Sequence, residues 1–120
     1  MTDEKFEKLV SEALDSIPEE FSNKLNNVQI TNADYPNPYQ VAKARLKPGM
    51  LLFGLYEGVP QTKRGIYYSA PPDKITIFKN AILIISKTEE DVRRQVRSTV
   101  MHEIGHHFGM SDEQLRKNGI

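Results

Sequence analysis

The sequence predicts a domain of the α/β (α+β) class, with helices toward both ends and short strands between them. Three observations carry this. Phe6, Leu9, Val10, Ala13, Leu14 and Ile17 recur at spacings of three and four, the rhythm of an amphipathic helix. Short runs at 51–56 and 75–78 are apolar or alternate in the two-residue period of strands. Val92, Val96, Val100 and Ile104 then form an apolar ladder on a long helical segment.

In the first helix, Thr2 or Asp3 can cap the start. Pro18 ends it or opens a second short helix, with Glu19 and Glu20 in the first turn and Phe21 and Leu25 on the apolar side. Val28 and Ile30 share one face of a weak strand over 26–31. Residues 32–39 hold two prolines and read as a loop. A strand over 51–56 follows the Pro48-Gly49 turn, and Gly54 inside it marks a bulge or a close backbone approach. Residues 65–69 form a further short strand, closed by Pro71 and Pro72. After the strand at 75–78, the β-branched content of 80–85 favours strand, while Asn80 offers the cap of a short helix. The long helix spans 88–108. Thr88 caps it, and Glu89, Glu90 and Asp91 suit the positive end of its dipole. Gly109 is a natural residue to turn the chain out of that helix.

With 120 residues the chain fits a single domain over 1–120. Lysine plus arginine balance aspartate plus glutamate at 16 each, so nothing points to nucleic acid or an anionic membrane as partner. Arg93, Arg94 and Arg97 read as a solvated helix face. The N-terminus lacks a basic region followed by an apolar stretch, and the longest apolar run, residues 81–85, is too short to span a bilayer. The expectation is a cytoplasmic protein. Cysteine is absent, which excludes disulfides and thiolate metal sites.

All three histidines fall at 102, 106 and 107. His102 and His106 are four apart, so on a helix both can reach one metal ion. Neutral imidazoles suit zinc, and a catalytic zinc needs a third protein ligand and one open position. Asp112 follows Gly109 by three residues, and a chain turned at that glycine can bring it back to the last helical turn. The expected metal ligands are therefore His102, His106 and Asp112, around one Zn2+ per chain. Glu103 lies about 100° round the helix from His102. That placement suits contact with a zinc-activated water rather than ligation, so Glu103 is the expected catalytic general base. Simpler roles exist for each residue. The histidines can be solvent-facing without metal, and Asp112 can be an ordinary acidic residue of a helix first turn, although Ser111 can do that capping. His107 points toward the apolar ladder and reads as packed or supporting rather than ligating.

These residues resemble a known family. His102, Glu103, His106, Gly109 and Asp112 match the HExxHxxGxxD signature of the small bacterial zincin-like metallopeptidases, or minimal zincins, without departure. The runs at 52–60, with Thr62 and Arg64, and at 72–78 are similar to upstream blocks of that family. The resemblance implies a minimal zincin-like fold, with a small mixed sheet packed on an N-terminal helix and on the helix carrying the motif. By analogy with larger zincins, a sheet edge beside the cleft holds an extended peptide. Residues 75–78 are the first candidate for that edge and 52–56 the second. Metzincins have a similar motif but a methionine turn downstream, and the eight residues after Asp112 leave it no room.

The function expected on these grounds is a zinc-dependent metallopeptidase, acting on a peptide or unfolded protein segment. The small size argues against a cleft for folded proteins. Zinc hydrolysis of another amide or ester is a variant of this reading. The alternative is a non-enzymatic zinc-binding protein in which the metal is structural or supports partner binding. Glu103 favours the enzyme, because a structural site needs no general base.

Overall fold

Thr2 opens the first helix, its hydroxyl accepting from the Lys5 amide at 3.1 Å. The computed structural model describes residues 1–23, 28–58 and 73–107, without the side chains of Glu20, Phe21, His106 and His107. Within these, the elements run α1 (Asp3–Asp15), α2 (Glu19–Ser22), β1 (Val28–Ala33), α3 (Pro38–Lys43), β2 (Gly54–Glu57), β3 (Asp73–Phe78), α4 (Lys79–Ile85) and α5 (Glu89–His107). The expected strand at 65–69, the turn at Gly109 and Asp112 lie outside the described residues.

The three strands form one mixed sheet in the order β1-β3-β2. β1 pairs with β3 in parallel, and β2 pairs with β3 antiparallel, with Gly54 opposite Ile77 and Tyr56 opposite Ile75. The mixed sheet and its flanking helices agree with the expected α+β, minimal zincin-like class. Ile75, Thr76, Ile77 and Phe78 are all buried, as a central strand requires. This corrects the expected order of edges. The segment at 75–78 is central and offers no free edge to a peptide, whereas β2 lies at an edge among the described strands.

Two local expectations also change. The loop expected at 32–39 is realised only at 34–37: β1 runs to Ala33, and α3 begins at Pro38 with a full capping box. Asn37 Oδ1 accepts from the Gln40 amide at 2.7 Å, Gln40 Oε1 accepts from the Asn37 amide at 2.9 Å, and Pro38 occupies the first helical turn. Of the two readings of 80–85, the short helix is the one realised, as α4, with Phe78 rather than Asn80 at the cap position. Tertiary placement decides this segment. Ala81 and Ile82 enter the core, Ile84 and Ile85 face outward, and Lys79 Nζ is anchored on Asp3 at 2.5 Å.

The core lies where α1, the sheet and α5 meet. Phe6, Leu9, Val10, Ala13 and Ile17 meet Ile75 and Ile77 of β3 and the ladder Val92, Val96, Val100 and Ile104 of α5. Burying each of these side chains other than Ala13 stabilises by about 1.5–3 kcal/mol before conformational costs. Arg93 to Glu12 at 2.6 Å and Lys5 to Glu89 at 3.2 Å fasten α1 along α5. Thr88 and Asp91 cap α5 reciprocally: Thr88 Oγ1 accepts from the Asp91 amide and Asp91 Oδ2 from the Thr88 amide, each at 3.1 Å. Among the described residues, no helix is long and apolar enough to cross a membrane.

Candidate metal centre

The ladder that buries one side of α5 fixes what its other side presents. With the valines turned to the core, Gln95, Thr99, His102 and Glu103 face β2 and the segment leading into it. These four, with residues 51–54 and Ser98, line a cavity of about 260 Å³. His102 and Glu103 are both half-buried there.

β2 comes close to α5 because Gly54 has no side chain. A Cβ at that position would lie 2.5 Å from Thr99 Cγ2 and 3.3 Å from the Thr76 carbonyl oxygen. Of the two sequence readings of Gly54, close approach is the one realised. The approach lets the Tyr56 amide donate to Glu103 Oε2 at 3.2 Å. Tyr56 is held from its other end too, its hydroxyl donating to Asp73 Oδ2 at 2.6 Å. Glu57 accepts from Gln40 Nε2 at 2.8 Å, tying the end of β2 to α3.

The strand's alternation gives the edge its polarity. Phe53 O accepts from the Phe78 amide at 2.9 Å, so its polar groups face β3. The Tyr56 amide faces the opposite way, toward α5. Gly54, two residues before Tyr56 on the strand, shares that outward direction and turns its backbone N–H and C=O to the cavity.

α5 continues as helix through His107, so His106 lies about 6 Å along the axis from His102 and on the same side. The structure thus brings together His102 and Glu103 by side chain and His106 by backbone. Asp112 and the side chain of His106 lie outside the described residues. Among the described residues there is no group of three or more metal-ligating side chains. The donor set nonetheless suits zinc: an imidazole opening on the cavity, a second histidine one helical turn on in the sequence, and no thiolate to make a closed site. The residues that sequence reasoning passed over are Thr99, Gln95 and the Tyr56 amide. Gly54 was their signal, since a glycine inside a strand announces that something packs against the backbone.

The described residues thus form an α+β domain with a paired-histidine helix packed beside a small mixed sheet. The chain belongs to the zincin-like metallopeptidase family, which matches residues 25–120. At that level the family implies zinc binding. Among solved structures the chain is similar to a conserved hypothetical protein (TTHA0227) from Thermo thermophilus. The TM-score is 0.58 and the identity 23%, over 90% of this chain and 94% of that one. That likeness speaks for the fold. No curated protein matches the chain.

Proposed function

We propose that this protein is a zinc-dependent peptidase in which His102, His106 and Asp112 hold one zinc ion and Glu103 is the general base. The observation that carries the reading is the position of Glu103. Its carboxylate lies in the same cavity as His102 and accepts from the backbone of β2, the strand at that edge among the described residues. A carboxylate supporting a purely structural metal has no reason to open on a cleft beside a strand edge.

Zinc bound at this site would polarise a peptide carbonyl and acidify a water beside it. The chain's own groups do the rest. Glu103 takes a proton from the attacking water and delivers it to the leaving amine. Gly54 offers outward-facing backbone N–H and C=O groups with which an extended peptide can pair as an added strand. Tyr56, pinned by Asp73, keeps that edge in register with α5.

The test is digestion of a diverse peptide mixture by zinc-loaded protein, read by mass spectrometry. Cleavage should appear with zinc, vanish with chelator and fall sharply in Glu103→Gln. Zinc-independent cleavage, or equal cleavage by Glu103→Gln, defeats the proposal. Stoichiometric zinc binding with no cleavage of any peptide turns the reading toward the non-enzymatic alternative.

A further inference from the structure

The first half of α5 carries Arg93, Arg94 and Arg97, and the structure gives them different fates. Arg93 is taken up by structure, bonded to Glu12 at 2.6 Å and Glu90 at 3.3 Å. Arg94 Nη2 meets Asp91 Oδ1 at 2.7 Å and is otherwise exposed. Asp91 is itself committed, accepting from the Lys87 and Thr88 amides at 2.9 and 3.1 Å. Arg97 is exposed and makes no ion pair among the described residues, and the same holds for the Lys87 ammonium.

Lys87, Arg94 and Arg97 line a cavity of about 600 Å³, against the single carboxylate of Asp91. Gln95 and Ser98 line both this cavity and the one holding His102 and Glu103, so the two meet along α5. Along the helix axis, Arg97 lies about 7 Å and Arg94 about 12 Å before His102. An extended peptide advances about 3.3 Å per residue, so the cations fall about two to four residues from the metal position. β2 passes Thr99 at Gly54 before reaching Glu103 at Tyr56, and therefore runs in the same sense as α5. Antiparallel addition, the more stable pairing, sends the C-terminal part of a peptide toward the cations.

Resting on the peptidase reading of the neighbouring site, we propose that Lys87, Arg94 and Arg97 form a subsite for an acidic side chain of the substrate. That side chain lies about two to four residues beyond the scissile bond, toward the peptide's C-terminus. Charge complementarity selects this occupant. A cationic residue there would face three like charges, and an apolar one would leave Lys87 and Arg97 without a carboxylate. The sequence as a whole is electrically neutral, so the preference comes from local placement and not from a general basic field.

The experiment uses fluorescein-labelled alanine–glycine octapeptides carrying glutamate, glutamine or lysine at one position, scanned along the chain. Binding to zinc-loaded Glu103→Gln protein is read by anisotropy, and cleavage by the wild type is mapped by mass spectrometry. At low salt, glutamate in the C-terminal half should bind about three- to tenfold tighter than glutamine, with lysine weakest. The advantage should collapse near molar salt, where the Debye length is about 3 Å. Arg97→Glu should bring lysine ahead of glutamate. Equal binding of the three peptides, or an unchanged order in Arg97→Glu, overturns the subsite and leaves the peptidase reading standing. Absence of both binding and cleavage for every peptide overturns the two together.

Discussion

The backbone amide of Tyr56 donates to Glu103 Oε2 across 3.2 Å, so the edge of the sheet and the proposed general base are in direct contact. The contact uses an amide, which no side-chain substitution at position 56 removes. It also lets a carboxamide replace the carboxylate, since its oxygen can accept the same hydrogen bond. Glu103→Gln should therefore fold and retain zinc while losing activity by a factor of about 10² to 10⁴. Zinc content, thermal melting and kcat/KM measured on one preparation check this. Loss of zinc along with activity would mean that Glu103 is a ligand.

Gly54 and Thr99 form a second testable pair. Gly54→Ala places a Cβ 2.5 Å from Thr99 Cγ2, so β2 or α5 must move. The expected destabilisation is about 1–3 kcal/mol, as for other overpacked sites. Thr99→Ser removes the opposing methyl and should recover part of the loss in the double variant. Additive losses in a double-mutant cycle would refute the proposed clash.

The metal prediction rests on the paired histidines. Protein purified without chelator should carry close to one zinc per chain. His106→Ala should lower that content sharply while α5 stays helical. Unchanged zinc in His106→Ala would remove His106 from the ligand set. Loss in His106→Ala without loss in Asp112→Ala would reassign the third ligand.

Asp91 links stability to pH. Its carboxyl is held below the usual aspartate range, first by the Lys87 amide, then by the Thr88 amide and the Arg94 charge. A folded-state value below the unfolded one stabilises the fold above the unfolded value, and the gain disappears as pH falls through the folded value. The melting-temperature gap between wild type and Asp91→Asn should be largest near neutral pH. It should shrink as pH drops below about 3.9. A gap of constant size from pH 7 to pH 3 would show that the capping geometry, not the charge, is what Asp91 supplies.

The parts legible in the sequence are those set by local periodicity. The valine ladder fixed α5 and its buried side, and all four ladder residues are buried. α1 followed from the spacing of Phe6, Leu9, Val10 and Ala13 in the same way. The segment 79–85 was not legible, because so short a run of β-branched and apolar residues satisfies either period until its neighbours are known. Its helix is selected by the core contacts of Ala81 and Ile82 and by the Lys79–Asp3 pair, which is 76 residues apart in sequence. α3 was legible and missed: Asn37, Pro38 and Gln40 spell a capping box, but two prolines nearby suggested a loop. The choice between β2 and β3 as free edge needed strand order, which no single strand encodes. For the candidate site, the motif pointed to His102 and Glu103, which share one cavity, whereas the approach of the Tyr56 amide left only the glycine at position 54 as its mark.

The attachment of α1 gives the molecule a natural seam. Five of its core residues come from one helix and the stretch just after it, and that helix is fastened to α4 and α5 by Asp3, Lys5 and Glu12. A cut after Ile17 would leave two fragments whose only route to a complete core is mutual recognition. The larger would carry the whole histidine motif yet lack the surface that keeps α5 in place. Any activity of the site would then become a bimolecular property, set by fragment concentration. The protein would serve as a two-piece switch, silent when diluted and restored when some outside tether brings the pieces together.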